Sequence, residues 1–282
     1  VSANRMALLQ AGDVDVALRL TAREKDQLAG DATVAIPNVT PNMTHQWRLN
    51  FNVEPFDNKL VRQAMAYAVP YDDILEKVYY GQAERMYSII MPYAPGYYPD
   101  PWVYDEDLEK AKALLEEAGY PDGFEQSVAL SGGWPEYEEL AVQIKSNLAK
   151  IGVTLNIDKM PEAKFNENRY ARTFPSTVDY DQGQVPIGPF PVQLLFGTGD
   201  TGVSNFGNFS NAEVEELLDA AWTERDPEKR NEMIEEIQAI IADEVPWVYL
   251  GVAGVSEAMK SSLEGWCWYP DNYIRWFDLY EE

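Results

Sequence analysis

The chain has 282 residues, of which 22 are basic and 47 acidic, so its formal net charge is -25. A surface this acidic repels nucleic acid and anionic membranes, which excludes both as partners. Hydrophobic residues make up 46% of the chain, enough for one or two ordinary cores. No uninterrupted apolar run reaches the roughly 18 residues of a membrane span, and a single cysteine excludes an internal disulfide.

One segment in the first third of the chain predicts a strand and two helices in succession. Trp47–Val53 alternates apolar and polar residues like a half-buried strand. Asp57 can cap a helix whose apolar residues recur at helical spacing, and Pro70 ends that helix. Gly81 then marks the end of the second helix.

The middle of the chain predicts an α/β sheet. A short helix closes on Gly119, and a Pro-Asp-Gly turn leads into a strand over Phe124–Ser131. A long amphipathic helix follows over Glu136–Lys150, and then an alternating strand over Val153–Ile157. The order strand, helix, strand indicates a right-handed crossover between neighbouring strands.

The last third adds a predicted strand over Ser176–Asp181 and two acidic helices over Asn211–Trp222 and Pro227–Glu244. Their carboxylates fall mainly on the polar helix faces, which favours a solvated acidic coat over a cation site. Attraction of cationic solutes is the alternative interpretation of the charge.

Two segments together resemble one family. Asn50–Gly81 reads NFNVEPFDNKLVRQAMAYAVPYDDILEKVYYG, and Tyr104–Gly123 reads YDEDLEKAKALLEEAGYPDG. Both are similar to the extracellular solute-binding proteins, family 5, of ATP-binding-cassette importers, the oligopeptide and dipeptide type. The resemblance implies a two-lobed α/β fold of periplasmic-binding-protein type II, cluster C, present here mainly as the carboxyl-terminal lobe with strands returning to the first lobe.

The resemblance also implies a division of the chain. Residues 1–49 would end the first-lobe segment, residues 50–247 would form the second lobe, and residues 248–282 would return to the first lobe. Hinge crossings would fall near Arg48–Asn52 and Pro246–Gly251. Members run to about twice this length, so we expect the chain to be a fragment whose export signal lies upstream.

The function implied by the resemblance is capture of a small solute in an interlobe cleft and delivery to a membrane ABC permease. The protein would act as a monomer in the periplasm, or anchored outside the membrane, with no cofactor and no metal. A sensory or scaffold domain that contacts a membrane receptor is an alternative from another class.

The sequence shows no catalytic motif, so we expect no enzyme. P-loop, GxSxG and HExxH patterns are missing. The only histidine, His45, has no second histidine or cysteine to complete a zinc or triad site, and we interpret it as a loop residue. A glycoside hydrolase with paired acids is the enzymatic alternative, and sequence cannot show the carboxylate separation that it needs.

The resemblance implies that the loop within YDQGQVPIGPFPVQLLF, residues 180–196, faces the ligand. Peptide-binding members carry there an acidic residue four positions before a proline, which pairs with the peptide amino terminus. Counting back from Pro189 gives Val185, and the preceding tryptophan of those members is matched by Gln182. A buried ammonium without its counter-charge costs several kcal/mol, which disfavours a free peptide.

Gly188-Pro189-Phe190-Pro191 is similar to the Gly-Pro-x-Pro turn of oligosaccharide-binding members. Its aromatic ring could stack on a pyranose while the amides of Gln182, Gln184 and Asn205 bond the hydroxyls. We therefore predict a neutral oligosaccharide, with a peptide or cationic solute as the alternative. The structural alternative is that the prolines start a helix at Val192 and Phe190 lies in the core.

Three further aromatic residues are candidates for ligand contacts. Trp134, in the loop Ser-Gly-Gly-Trp-Pro, lies between a strand and a helix, where the carboxyl edge of the sheet is expected. Its alternative role is to pack against the start of the next helix as a hydrophobic staple. Phe206 lies in a loop rich in Gly, Ser and Asn. The aromatic tail Gly265–Tyr280 would return to the first lobe as core, with Trp268 facing the cleft.

Overall fold

The computed structural model of the protein describes residues 2–37, 39, 41–92, 94–182, 189–200, 202–254, 256–269 and 271–281. Its largest element is a six-stranded mixed sheet, and a three-stranded sheet lies beside it. The elements of the first third of the chain are α1 (Ser2–Ala11), β1 (Val16–Ala17), α2 (Ala22–Leu28), β2 (Val34–Ala35), β3 (Met43–Leu49), α3 (Lys59–Tyr67), α4 (Tyr71–Asp73, continued by a π-helical turn over Ile74–Val78) and β4 (Ala83–Glu84).

The remaining two thirds complete both sheets. Their elements are α5 (Leu108–Glu117), β5 (Glu125–Ser131), α6 (Pro135–Leu148), β6 (Thr154–Met160), α7 (Glu162–Tyr170), β7 (Ser176–Gln182), α8 (Phe190–Phe196), α9 (Ala212–Thr223), α10 (Pro227–Glu244), β8 (Trp247–Ala253), β9 (Ala258–Lys260), β10 (Leu263–Glu264) and β11 (Tyr280–Glu281).

The large sheet has the strand order β4-β8-β3-β7-β5-β6. Strands β5 and β6 are parallel and joined through α6, as the predicted crossover requires, whereas β3 runs antiparallel to both β7 and β8. Helices cover this sheet, and one continuous apolar core joins them to it. We call this sheet with its helices the large unit.

A second, smaller core holds the three-stranded sheet, whose order is β1-β9-β2. It is formed by α1, α2 and the strands, and its buried side chains are Leu9, Ala17, Leu20, Leu28 and Ala258. We call this part the small unit. The chain runs from the small unit to the large one between β2 and β3, and returns between β8 and β9.

The predicted helices of the middle and end are confirmed, because their signals are local. Asp107, Asn211 and Asp226 each accept a hydrogen bond from a first-turn backbone N–H of α5, α9 and α10. Gly81 and Gly119 follow their helices at positive φ, as expected for helix ends. At α3 the cap is Asn58, whose side chain accepts from the N–H of Leu60, so the prediction of Asp57 was wrong by one residue.

The first predicted strand was also shifted. It spans Met43–Leu49 rather than Trp47–Val53, and all seven of its residues are buried. Its sequence MTHQWRL does alternate, but the alternation begins four residues earlier than predicted, and the polar face is buried as well because Arg48 pairs there with Asp179 and Asp181. His45 is consequently a buried strand residue and not a loop residue.

The expected hinge positions fall on the large sheet. Arg48 and Leu49 belong to β3, and Trp247–Gly251 belongs to β8. The connections between the two sheets lie earlier and later in the chain. The lobe boundaries at residues 49 and 248 stay a prediction.

Gly123 is the residue of the Pro-Asp-Gly turn that cannot carry a side chain. Its φ is +77°, and an added Cβ would lie 2.1 Å from the carbonyl oxygen of Gly152. We expect Gly123→Ala to lower the free energy of unfolding by about 3 kcal/mol, because strain and a backbone clash add. Urea denaturation measures this difference.

Gly119→Ala is the matched control. Its φ is +91°, but nothing lies within 4 Å of an added Cβ. Only the strain of the left-handed conformation applies there, about 1–2 kcal/mol. Equal losses in the two variants would contradict the role of the close approach to Gly152.

Candidate ligand-binding site

An aromatic cluster lies at the carboxyl end of β5. Trp134 ends the loop after that strand and immediately precedes α6, so its ring is held between two elements of the large unit. The ring centroid lies 4.7 Å from that of Tyr180 on β7 and 5.7 Å from that of Tyr137 on α6, the latter nearly parallel. The structure therefore places Trp134 at the predicted sheet edge, half-buried among aromatic rings.

Arg19 of the small unit covers the same tryptophan. Its guanidinium carbon lies 4.3 Å from the Trp134 ring centroid, a cation–π geometry, and its Nη1 lies 3.7 Å from a carboxylate oxygen of Glu162 on α7. The backbone N–H of Arg19 donates to Glu257 at 2.8 Å. Arg19 thus joins the two units directly beside the aromatic cluster.

Behind Trp134 lies a second group of side chains, which we call the junction cluster: His45, Tyr79, Glu136 and Tyr137. The rings of Tyr79 and Tyr137 lie 5.5 and 6.1 Å from that of His45. The described residues offer no hydrogen-bond partner to either His45 nitrogen, to either phenol oxygen or to Oε2 of Glu136. Buried polar atoms are normally paired, so four such side chains in one place call for an explanation.

Burial controls the protonation of this cluster. It lowers the pKa of His45 to about 3, with a smaller contribution from the positive charge of Lys25, so the imidazole is neutral. Burial raises the pKa of Glu136 to about 7, against the opposing effects of its own backbone N–H and of Lys25. The junction cluster thus contains a neutral imidazole and a carboxyl group that titrates near neutral pH.

A buried ion cluster occupies the opposite face of the large sheet. Arg48 on β3 is 2% exposed and donates from Nε to Asp179 at 2.6 Å and from Nη2 to Asp181, both on β7. Its guanidinium also lies 4.1 Å from the ring centroid of Trp247 on β8. Successive side chains of a strand point to opposite faces of the sheet, so Asp179 and Asp181 lie on the face opposite to that of Tyr180.

Phe206 and Asn205 lie on the side of this ion cluster and not beside Trp134. Arg169 and Arg48 lie 4.6 and 5.4 Å from the Phe206 ring centroid. Asn205 is buried and donates both amide hydrogens to the carbonyls of Gly197 and Phe209. Its donors are therefore used to hold its own loop, which leaves it outside the candidate site.

The predicted proline turn is described only at its end. Pro189 is buried and precedes α8, which begins at Phe190, two residues before the expected start at Val192. The Phe190 side chain is 38% exposed, so the interpretation that placed it in the core is wrong. The predictions for Gln184, Val185 and Gly188 lie outside the described residues, and so does the side chain of Gln182.

The carboxyl-terminal aromatic residues do not form a core within this chain. The Trp268 indole N–H donates to Asn272 at 3.1 Å, and its ring is half-buried. Trp276 and Phe277 are exposed. In the described part of the tail, β11 pairs with β10, and Glu281 of β11 lies 3.8 Å from the ammonium of Lys260 on β9.

Sequence reasoning missed the junction cluster. The sequence places Glu136 at the start of a predicted amphipathic helix and His45 in a loop, and it singles out neither tyrosine. The available signal was the position of Glu136 and Tyr137 directly after Trp134, at the carboxyl edge of the sheet.

Neither a metal centre nor a membrane span is found in the described part of the chain. No three His, Cys, Asp or Glu side chains there are grouped so that they could hold a metal ion. None of its helices is both long and apolar enough to cross a bilayer.

The chain belongs to the family described as bacterial extracellular solute-binding proteins, family 5, since residues 1–203 match the middle region of that family. A glutathione-binding protein, GsiB of Salmonella typhimurium, is 29% identical over 280 residues, which are 95% of this chain and 53% of that protein. A heme-binding protein A of Haemophilus influenzae is 30% identical over 274 residues, covering 92% of this chain and 49% of the relative.

A solved structure agrees with the fold. The dipeptide-binding protein of a Pseudoalteromonas species, in complex with Met-Leu, has a TM-score of 0.91 and 25% identity, and the match covers all of this chain and 57% of that one. The fold is therefore that of the type II periplasmic binding proteins. The chain spans about half the length of the relatives that it matches.

The buried ion cluster predicts a stability effect. Asp179→Ala leaves Arg48 buried with one carboxylate fewer, and we expect a loss of about 3 kcal/mol in the free energy of unfolding. Asp73→Ala is the control, because Asp73 pairs with Lys77 on an exposed helix face and its removal costs under about 1 kcal/mol. Equal losses in urea denaturation would contradict the role of burial.

Glu136 predicts a pH-dependent effect. Its pKa rises from 4.5 in the unfolded chain to about 7 in the folded one, so the folded state loses stability as the pH rises from about 4.5 through 7. We expect Glu136→Gln to stabilise the protein above pH 7 by on the order of 2 kcal/mol and to change little at pH 4.5. Denaturation at pH 4.5 and pH 8 measures this, and a pH-independent difference would contradict it.

Proposed function

We propose that this protein is the solute-binding component of an ABC importer, which captures a small solute outside the cytoplasm and delivers it to a membrane permease. Membership of the solute-binding family carries this proposal, together with the position of the aromatic cluster between two separately packed units. The relatives named above are binding proteins by name, which supports a role without chemistry. For a Gram-negative source the place of action is the periplasm.

The solute enters between the small and the large unit and is held by closure. Arg19 supports this proposal, because it reaches from the small unit to Trp134 and Glu162 of the large one. The two connections between the sheets, β2–β3 and β8–β9, are the positions where a hinge motion would change the backbone. Opening would remove Arg19 from the Trp134 ring and expose that ring to solvent.

The proposed solute is a peptide or a peptide-like compound. The relatives and the solved neighbour named above bind glutathione, heme and a dipeptide by their names, and none is named for a carbohydrate. The predicted oligosaccharide depends on the loop before Pro189 and gains no support from those names. Trp134, Tyr137 and Tyr180 offer apolar ring surface to a peptide side chain.

A thermal-shift screen of the full-length gene product tests the proposed function. We expect dipeptides or glutathione at about 100 times their dissociation constant to add roughly 2.7 kcal/mol, seen as a higher Tm. Trp134→Ala should weaken this binding about tenfold, because one ring contact with the solute and the Arg19 contact are both lost.

Trp222→Ala is the control, since Trp222 is an exposed residue of α9. Stabilisation by neutral oligosaccharides alone would show that the solute is a sugar and not a peptide. Turnover of a chromogenic glycoside, or no response to any solute in the screen, would contradict the proposed function.

A further inference from the structure

We propose that a crevice behind the large sheet binds a single chloride ion. The crevice lies between α7, β7 and the segment before α9, and we call it the arginine crevice. Its lining includes Arg48, Arg169, Arg172, Thr177 and Phe206. The inference goes beyond the proposed function, because the ion would be a structural component of the large unit and not the transported solute.

Positive charge exceeds negative charge at the arginine crevice. Asp179 and Asp181 both pair with Arg48, and Asp179 also lies 3.4 Å from Nη1 of Arg169. Arg172 forms no ion pair within 4 Å among the described residues. Two carboxylates therefore serve three guanidinium groups, and arginine keeps its proton in proteins. One bound anion would balance the remaining positive charge.

Two hydrogen-bond donors at the crevice are buried and unpaired. Thr177 is 5% exposed, and its hydroxyl has no hydrogen-bond partner among the described residues. The Nε–H of Arg169 is likewise buried without a partner there. Buried polar groups are normally paired, so both donors require an acceptor in the crevice. A halide ion accepts several hydrogen bonds and donates none, which matches this set of groups.

The crevice has room for one small particle. Its volume is about 10 Å³ for the centre of a water-sized sphere, close to the space that one bound water requires. Chloride is slightly larger than water, and the half-buried side chains of Arg169 and Arg172 can move outward by the small difference. Sulfate and phosphate are too large. A water molecule would pair with the two donors but would leave the excess charge unbalanced.

The backbone holds Arg172 at the crevice in an unfavourable conformation. Its φ is +55°, in the left-handed region that costs free energy for a residue with a side chain. The Asn50 amide fixes this turn by donating to the carbonyl oxygen of Arg172 at 3.2 Å and to that of Phe174 at 2.7 Å. The guanidinium in turn donates to the carbonyl oxygen of Gly202 at 3.1 Å. Backbone strain of this kind concentrates at binding sites.

The acidity of the whole chain does not oppose a buried anion. Exposed carboxylates act over about the Debye length of 8 Å at physiological salt, whereas the guanidinium groups line the crevice itself. The Phe206 ring lies 4.6 Å from the Arg169 guanidinium carbon and covers the group from one side. Charges that are shielded from water interact more strongly than those at the surface. The ion would therefore fasten α7 and β7 to the segment before α9.

The experiment is urea denaturation of the full-length gene product without solute, in which sodium chloride replaces sodium gluconate at constant ionic strength. Gluconate is too large to enter the crevice. Chloride that binds only the folded state raises the ratio of folded to unfolded protein, by about tenfold at ten times its dissociation constant. We therefore expect stability to rise with the chloride concentration.

Two variants test the crevice. Thr177→Val removes the hydroxyl and keeps the shape of the side chain, so chloride should bind several-fold more weakly. Arg172→Met removes the charge but keeps the backbone conformation and a straight side chain, so the chloride dependence should be lost. Denaturation in gluconate alone measures the folding of each variant separately. Thr177→Val by itself carries the test if Arg172→Met does not fold.

Arg225→Met is the matched control. Arg225 is exposed just before α10, and the variant makes the same change of net charge as Arg172→Met. Its chloride dependence should equal that of the unmodified protein. A loss of the dependence in this variant as well would overturn the assignment to the crevice, because a general effect of salt on a charged protein would then explain the result.

Crystals grown in sodium bromide locate the ion. We expect an anomalous difference peak between Arg169, Arg172 and Thr177. A peak without any chloride dependence of stability would show an adventitious ion only and would overturn the structural role. Equal stability in chloride and gluconate without such a peak would show that the crevice holds at most water. Because no solute is used, these outcomes are independent of the proposed function.

Discussion

The large sheet depends on one buried arginine. Arg48 lies in the central strand β3, and its guanidinium joins β7 through Asp179 and Asp181 and faces Trp247 of β8. A buried arginine is stable only where carboxylates pair with its guanidinium in good hydrogen-bond geometry. Burial also affects the partner, because it raises the pKa of Asp181 although the positive charge of Arg48 acts in the opposite direction. These contacts tie β3 to both of its neighbouring strands near the end of β7, from which the predicted ligand loop departs.

The two faces of this sheet differ in how their buried polar groups are paired. Behind the sheet every charge of the ion cluster has a partner, and Arg169 adds a contact to Asp179 at 3.4 Å. On the other face, His45 and the two tyrosines are buried without partners among the described residues. Unsatisfied groups weaken the folded state, which a binding protein can tolerate where the solute supplies the missing bonds. One face of the sheet therefore has its charges paired, whereas the other carries buried polar groups without hydrogen-bond partners among the described residues.

The acidity of the chain acts at longer range. The chain has a net charge of -25, and many of its carboxylates lie on exposed helix faces, where each contributes little by itself. Their sum still attracts cations and repels anions over about the Debye length of 8 Å at physiological salt. The acidic coat therefore solvates the protein and also gives it a long-range preference for cations.

The sequence by itself determined the helices α3 to α6, α9 and α10, the parallel β5–α6–β6 crossover and the family, because caps, glycine ends and apolar spacing act within a few residues. It also placed Trp134 at the sheet edge. Only the tertiary structure decided the sites: Arg48 and Asp179 are 131 residues apart in sequence, and no local pattern could pair them. The burial of His45 and the raised pKa of Glu136 likewise depend on what α2 and the π-helical turn place over them, since desolvation is a property of packing and not of sequence spacing.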